Sequence, residues 1–189
     1  MLILASNSPR RQKLLKSAGY KFKVIPAEGE EMLPPLNPER AAVEIAKVKA
    51  LEIAEKNPDC IILAADTIVV SGGEILGKPV NCDDAFRMLK ALSGARHTVI
   101  TGVFILKGVS SRSFFGRTSV EFHVLSDYEI TSYIKTGEPF DKAGAYGIQE
   151  KGALLVKGIR GDYFNVMGLP LARTAIVLRE FGVLPEWKI

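Results

Sequence analysis

Residues 6–11 read SNSPRR, and they place two permanent cations at the start of a helix, where the macrodipole is already positive. With Ser8 as N-cap and Pro9 at the first helical position, the amides of Arg10 and Arg11 are among those that the helix leaves unpaired. Such amides suit a phosphate, and the hydroxyls of Ser6 and Ser8 add donors. Adjacent helical residues point about 100° apart, so one arginine can grip a phosphate while the other reads a different part of the ligand. The alternative is an exposed basic helix start.

A second constellation pairs Asp66 with the acidic loop Glu28-Gly29-Glu30-Glu31. Asp66 closes the apolar run ILAAD, and a carboxylate there is costly to bury unless something positive neutralises it. Ligands of open α/β sheets sit at the carboxyl ends of strands. Asp66 and one acidic loop residue suit Mg²⁺, which takes one or two carboxylates, waters and phosphate oxygens. A solvated charge run is the other reading of the loop.

Lys78 in GKP and Lys142 in DKAG are each presented by a turn, and Lys47 and Lys49 lie on a helix. Alone these are ordinary surface lysines, and Lys47 can snorkel along its apolar face. His97 and His123 have no metal-ligand partners at suitable spacing, so structural roles are expected for both. Cys60 and Cys82 are far apart and read as buried small hydrophobes. Phe114, Phe115 and Phe122 read as sheet core, without the basic alternation of a single-strand nucleic-acid platform.

These groups need a scaffold. The chain has 189 residues, 47% of them hydrophobic and 24% charged, which suits a soluble globular protein whose residues 1–189 form one compact domain or two closely packed lobes that the sequence does not separate. A net charge of +4 accommodates an anionic ligand. The longest apolar run, Cys60–Ala65, is too short for a membrane span, and Met1–Ala5 lacks the features of a signal peptide, so a cytoplasmic protein is expected.

Strands are expected at Leu2–Ala5, Phe22–Pro26, Cys60–Val70, His97–Leu106, Phe114–Leu125 and Ala153–Val156. Helices are expected from Pro9 to Ala18, from Asn37 to Asn57, over Asn81–Leu92, after the capping box Ser126-Asp127-Tyr128-Glu129, and over Leu169–Phe181. The result is an α/β fold, a mixed sheet flanked by helices.

SNSPRR, AADTIVV, ILGKP, LSGARHTVITGV, EPFDKAGAYGIQ and DYFNVMGLPL follow in this order and cover nearly the whole chain. Together they resemble the Maf family of nucleotide pyrophosphatases, named for an effect on septum formation. The resemblance implies hydrolysis of a nucleoside triphosphate to monophosphate and pyrophosphate with Mg²⁺ or Mn²⁺. It also implies an elongated sheet in two lobes around a central cleft, akin to the inosine triphosphatases, and frequently a homodimer.

By the same resemblance, Asp66 matches the catalytic acid/base and Glu31 its partner at the metal, with Glu30 the alternative in this loop. Ser6, Arg11, Lys78 and Lys142 match phosphate-facing positions, and Ser8 belongs with them. Arg10, Thr67 and Gln149 match the branch acting on dTTP and UTP rather than the one acting on 7-methyl-GTP, and Lys49 matches a further base-recognition position. A glutamine amide offers both a donor and an acceptor to a pyrimidine edge. Two positions depart from the family pattern: Glu150 replaces the usual glycine after GIQ, and Ser119 stands where an acidic residue is common. The rivals are a purine pyrophosphatase and a non-catalytic nucleic-acid or cell-division partner. Weak charge clustering argues against the latter.

Overall fold

The computed structural model describes residues 1–29, 34 and 36–187, so Glu30 and Glu31 lie outside the described residues. Its strands are β1 (Leu2–Leu4), β2 (Lys23–Val24), β3 (Ile61–Ser71), β4 (Glu74–Leu76), β5 (Arg96–Lys107), β6 (Ser110–Phe122) and β7 (Val156–Arg160). They form a mixed seven-stranded sheet in the order β2-β1-β3-β5-β6-β7, with β4 paired to β3. β1 runs parallel to β2 and β3, whereas the β3–β4 and β6–β7 pairs are antiparallel. The helices are α1 (Pro9–Ser17), α2 (Pro38–Lys56), α3 (Cys82–Leu92), α4 (Asp127–Ile134), α5 (Tyr163–Met167) and α6 (Leu171–Glu180).

Local chemistry sets most of the helix starts. Ser8, Asn37, Asn81 and Ser126 each accept an amide of the first turn, and Ser126 completes a reciprocal capping box with Glu129. Gly137 reverses the chain after α4 with φ +76°.

Contacts divide the chain into two compact units: Met1–Asp66 with Thr101–Gly116 and Gly168–Ile189, and Thr67–Ile100 with Arg117–Met167. In the first unit, Ile3, Ala5, Ile62 and Ala64 of the sheet region pack with Ala46, Ala50 and Ile53 of α2. The alanines allow a close approach, and Gly102 of β5 completes it. A Cβ there would lie 2.3 Å from the Ala42 carbonyl carbon. In the second unit, Met88, Leu89 and Leu92 of α3 share a core with Ile130 and Tyr133 of α4, with Val99, Val120 and Phe122 of the sheet, and with Tyr146.

Several sequence expectations need correction. Asp66 sits within β3, as the expected strand Cys60–Val70 has it, and so not at the carboxyl end of a strand, because the β-branched residues Thr67, Ile68, Val69 and Val70 continue the strand past it. The expected strand Ala153–Val156 is instead a 3-10 helix, Glu150–Leu155, with β7 starting only at Val156. α5 was not anticipated. The Phe22–Pro26 strand shortens to Lys23–Val24, and Phe114–Leu125 shifts to Ser110–Phe122. Cys82 is exposed at the head of α3 and Cys60 is only partly buried. Phe115 is 43% exposed, because strand alternation turns it away from the face that buries Phe114. His123 is exposed just beyond β6.

Candidate active site

In the first unit the turn between β1 and α1 is built around Arg11, which is only 9% exposed. Its Nε donates to the Gly168 carbonyl oxygen at 2.7 Å and its Nη1 to Ser6 Oγ at 3.0 Å. Ser6 Oγ also accepts the Ser8 amide at 3.2 Å, and Ser8 Oγ accepts the Arg11 amide at 3.5 Å. The arginine thus braces the serine turn from inside and ties it to the segment before α6. Arg10 is partly exposed beside it. The Gly168 carbonyl left no mark in the sequence, since a main-chain acceptor needs no particular residue type.

β1 aligns Leu4 with Leu63, so the parallel register, carried two residues further, brings Ser6 level with Ala65, next to Asp66. Asp66 is buried, and its Oδ1 accepts from Lys49 Nζ at 2.7 Å. This supplies the cation that an aspartate inside an apolar strand requires. Lys49, matched by resemblance to base recognition, comes from α2, whose seat over Gly102 sets its reach. Lys47 pairs with Glu44 on the same helix at 2.8 Å. The acidic loop is moored at its start, where the Glu28 and Gly29 amides donate to the Glu52 carboxylate at 2.8 and 3.2 Å.

In the second unit Thr67 begins the chain after Asp66. Lys78 is exposed in the turn after β4, and the Gly77 carbonyl oxygen there accepts the Gly144 amide at 3.0 Å. This bond fastens the Lys78 turn to the DKAG segment. Lys142 Nζ donates to Asp141 Oδ1 at 2.6 Å and to the Glu138 carbonyl oxygen at 2.5 Å. Gln149 is partly exposed at the head of the 3-10 helix Glu150–Leu155. Its segment is gripped by Tyr133 and Glu138, two residues not singled out in the sequence. A buried tyrosine on α4 five residues before a turn glutamate was the available signal.

His97 lies in the same core. Its Nε2 is 2.7 Å from the Tyr146 hydroxyl, while its Nδ1 has no hydrogen-bond partner among the described residues. Burial lowers its pKa to about 4, so it is neutral near pH 7. Among the described residues, no group of three or more His, Cys, Asp or Glu side chains is placed to hold a metal ion. Glu31, expected to face the metal with Asp66, lies outside the described residues. No described helix is long and apolar enough to cross a membrane.

The family model of Maf-like proteins matches residues 1–181. The chain belongs to the Maf-like protein family. Within it, a protein from Carboxydothermus hydrogenoformans named dTTP/UTP pyrophosphatase is 50% identical over 96% of this Maf-like chain and 98% of its own length. One of the same name from Thermosipho melanesiensis is also 50% identical, over 97% of this chain and 99% of its own. The solved structure of a nucleoside-triphosphatase / dITP/XTP pyrophosphatase from Mycobacterium abscessus aligns with 96% of the chain and 95% of its own, at 12% identity and TM-score 0.44.

Proposed function

We propose that this Maf-like chain is a nucleoside triphosphate pyrophosphatase that acts on dTTP and UTP. The carrying observation is the half-identity, over almost the entire chain, to proteins named for that activity. In the reaction, the oxygen of a water attacks the α-phosphorus, the bond to the β-phosphate breaks, and pyrophosphate leaves the monophosphate behind.

Asp66 takes the proton from the attacking water. Its Oδ1 accepts a hydrogen bond from Lys49 Nζ at 2.7 Å, which holds the carboxylate in place for that role. Arg11, Lys78 and Lys142 offset the charge that grows on the transferred phosphoryl and leaving pyrophosphate, and Ser6 and Ser8 supply hydroxyls. Arg10, Thr67, Gln149 and Lys49 discriminate the base. Carboxylate oxygens suit a hard cation, so Asp66, with Glu31, would hold Mg²⁺ or Mn²⁺. Such an ion would draw charge from the phosphate oxygens when bound. The homodimer, the cytoplasmic setting and the absence of a stable nucleic-acid partner belong to the same proposal. Sedimentation, cell fractionation and salt-titrated filter binding test them.

The deciding experiment measures pyrophosphate release by the purified chain from dTTP, UTP, CTP, GTP, ITP and 7-methyl-GTP, with Mg²⁺ and with Mn²⁺. Fastest turnover of dTTP and UTP is expected. A preference for 7-methyl-GTP or ITP would reassign the chain to purine clean-up.

A further inference from the structure

We propose that Glu138 is a positioning residue that, with Tyr133, holds the segment from Lys142 to Gly152 in the geometry its substrate contacts need. The inference rests on the nucleotide reading above, in which Lys142 faces phosphate and Gln149 faces the base.

Glu138 grips this segment at both ends. Its Oε1 accepts from the Tyr133 hydroxyl at 3.0 Å and from the Gly152 amide at 3.1 Å, and its Oε2 accepts from the Lys151 amide at 3.3 Å. Its own carbonyl oxygen accepts from Lys142 Nζ. Tyr133 extends the grip, because its hydroxyl oxygen also accepts the Gly147 amide at 3.3 Å. Gln149 therefore lies between two clamped points, Gly147 and Lys151.

The packing leaves no slack. A Cβ on Gly152 would lie 2.1 Å from the Gly147 carbonyl oxygen and 2.8 Å from the Tyr133 hydroxyl oxygen. One on Gly147 would lie 2.8 Å from Lys142 Cε. Within the segment, Ala145 (φ +61°) and Glu150 (φ +56°) occupy the left-handed region that favours glycine. Such conformations persist only where the surroundings over-determine them, and they cluster at functional sites. The glutamate and tyrosine supply that determination on one side, and Tyr146, set against His97, supplies it on the other. The contacts of the Glu138 side chain with the segment fall on main-chain amides, so they fix where the segment lies while leaving its side chains available.

The test uses the full-length chain and the variants Glu138→Gln, Tyr133→Phe and their double. Amide hydrogen exchange is read at Gly147, Lys151 and Gly152, and kcat and KM are read for dTTP, UTP and GTP. In Glu138→Gln, protection at Lys151 and Gly152 is expected to fall about tenfold, the factor one hydrogen bond is worth. KM for dTTP should rise by about the same factor, with a smaller change in kcat and a weaker preference for dTTP over GTP. Tyr133→Phe should do the same at Gly147, and the double variant should be less than additive, because both side chains act through one clamp.

Unchanged amide protection would overturn the proposal. So would loosened amides with KM and substrate ranking unchanged, which is what a merely structural brace gives. Should Glu138→Gln fail to fold, Tyr133→Phe, which removes one oxygen, decides alone. An active wild type with indifferent variants overturns this inference only, whereas a wild type inactive on every nucleotide overturns the nucleotide reading with it.

Discussion

Lys49 Nζ donates to Asp66 Oδ1 at 2.7 Å, and the two side chains are only 13% and 12% exposed. Removing one partner of so sheltered a pair leaves the other charge poorly compensated. Lys49→Met is therefore expected to cost about 1–3 kcal/mol, below the range for fully buried pairs because some water reaches this one. Adding Asp66→Asn should recover part of the loss. Urea midpoints of the two single variants and the double give the coupling, and strict additivity would mean that the pair contributes nothing.

Asp66→Asn alone speaks to chemistry. The amide keeps the shape of the side chain and abolishes its capacity to take a proton. Turnover of dTTP should fall by about 10²–10⁴-fold, the usual contribution of a general base, with binding partly retained. Pyrophosphate release and equilibrium dialysis separate the two effects. A variant working at close to the wild-type rate would remove Asp66 from the proposed role.

Gly102→Ala tests how Lys49 is delivered. The added methyl would sit 2.3 Å from the Ala42 carbonyl carbon and 2.4 Å from the Val43 nitrogen, both main-chain atoms that cannot rotate aside. α2 would have to lift from the sheet, at a cost of about 3 kcal/mol or more. Lower thermal stability together with reduced turnover is the expected pair of results. Wild-type behaviour in both would show that the helix has room to spare.

The elements were legible wherever side chains announce local structure. Ser8-Pro9, Asn37-Pro38, Asn81 and Ser126 with Glu129 mark helix starts that the fold reproduces. Legibility failed where hydrogen bonds run between distant main-chain groups. Ala153-Leu154-Leu155-Val156 has a strand's composition, yet amides at Lys151 and Gly152 bound by Glu138 coil the preceding chain into a 3-10 helix. At the site, Asp66 stood out as a charge in an apolar run, whereas its pairing with Lys49 depends on the close seat of α2 over Gly102. The brace from Arg11 to the Gly168 carbonyl crosses 157 positions and follows from no local pattern.

Glu150→Gly should stabilise the chain. Glu150 holds φ +56°, a conformation that costs an ordinary residue about 1 kcal/mol and costs glycine almost nothing. The greater freedom of glycine when unfolded offsets part of this, leaving a net gain of about 0.5 kcal/mol. Differential scanning calorimetry should show a melting temperature about 1–2 °C higher. A lower one would mean that the glutamate side chain contributes more than its backbone strain costs.

His97 sets an acid limit on stability. Its ring packs edge-on against Phe122 and Tyr146, with centroids 5.1 and 5.2 Å away, and burial lowers its pKa from 6.5 to about 4. Above pH 6.5 the imidazole is neutral whether the chain is folded or not, so stability does not depend on it. Between pH 6.5 and 4 the unfolded chain binds a proton that the folded chain refuses, and stability falls as pH falls, by at most about 3 kcal/mol. His97→Gln keeps a polar group for the Tyr146 hydroxyl and cannot titrate. Urea unfolding of both proteins at intervals from pH 7.5 to 4.5 should give curves that converge towards acid, since groups common to both cancel in the difference. Curves that stay parallel would show that the folded chain accepts the proton as readily as the unfolded one.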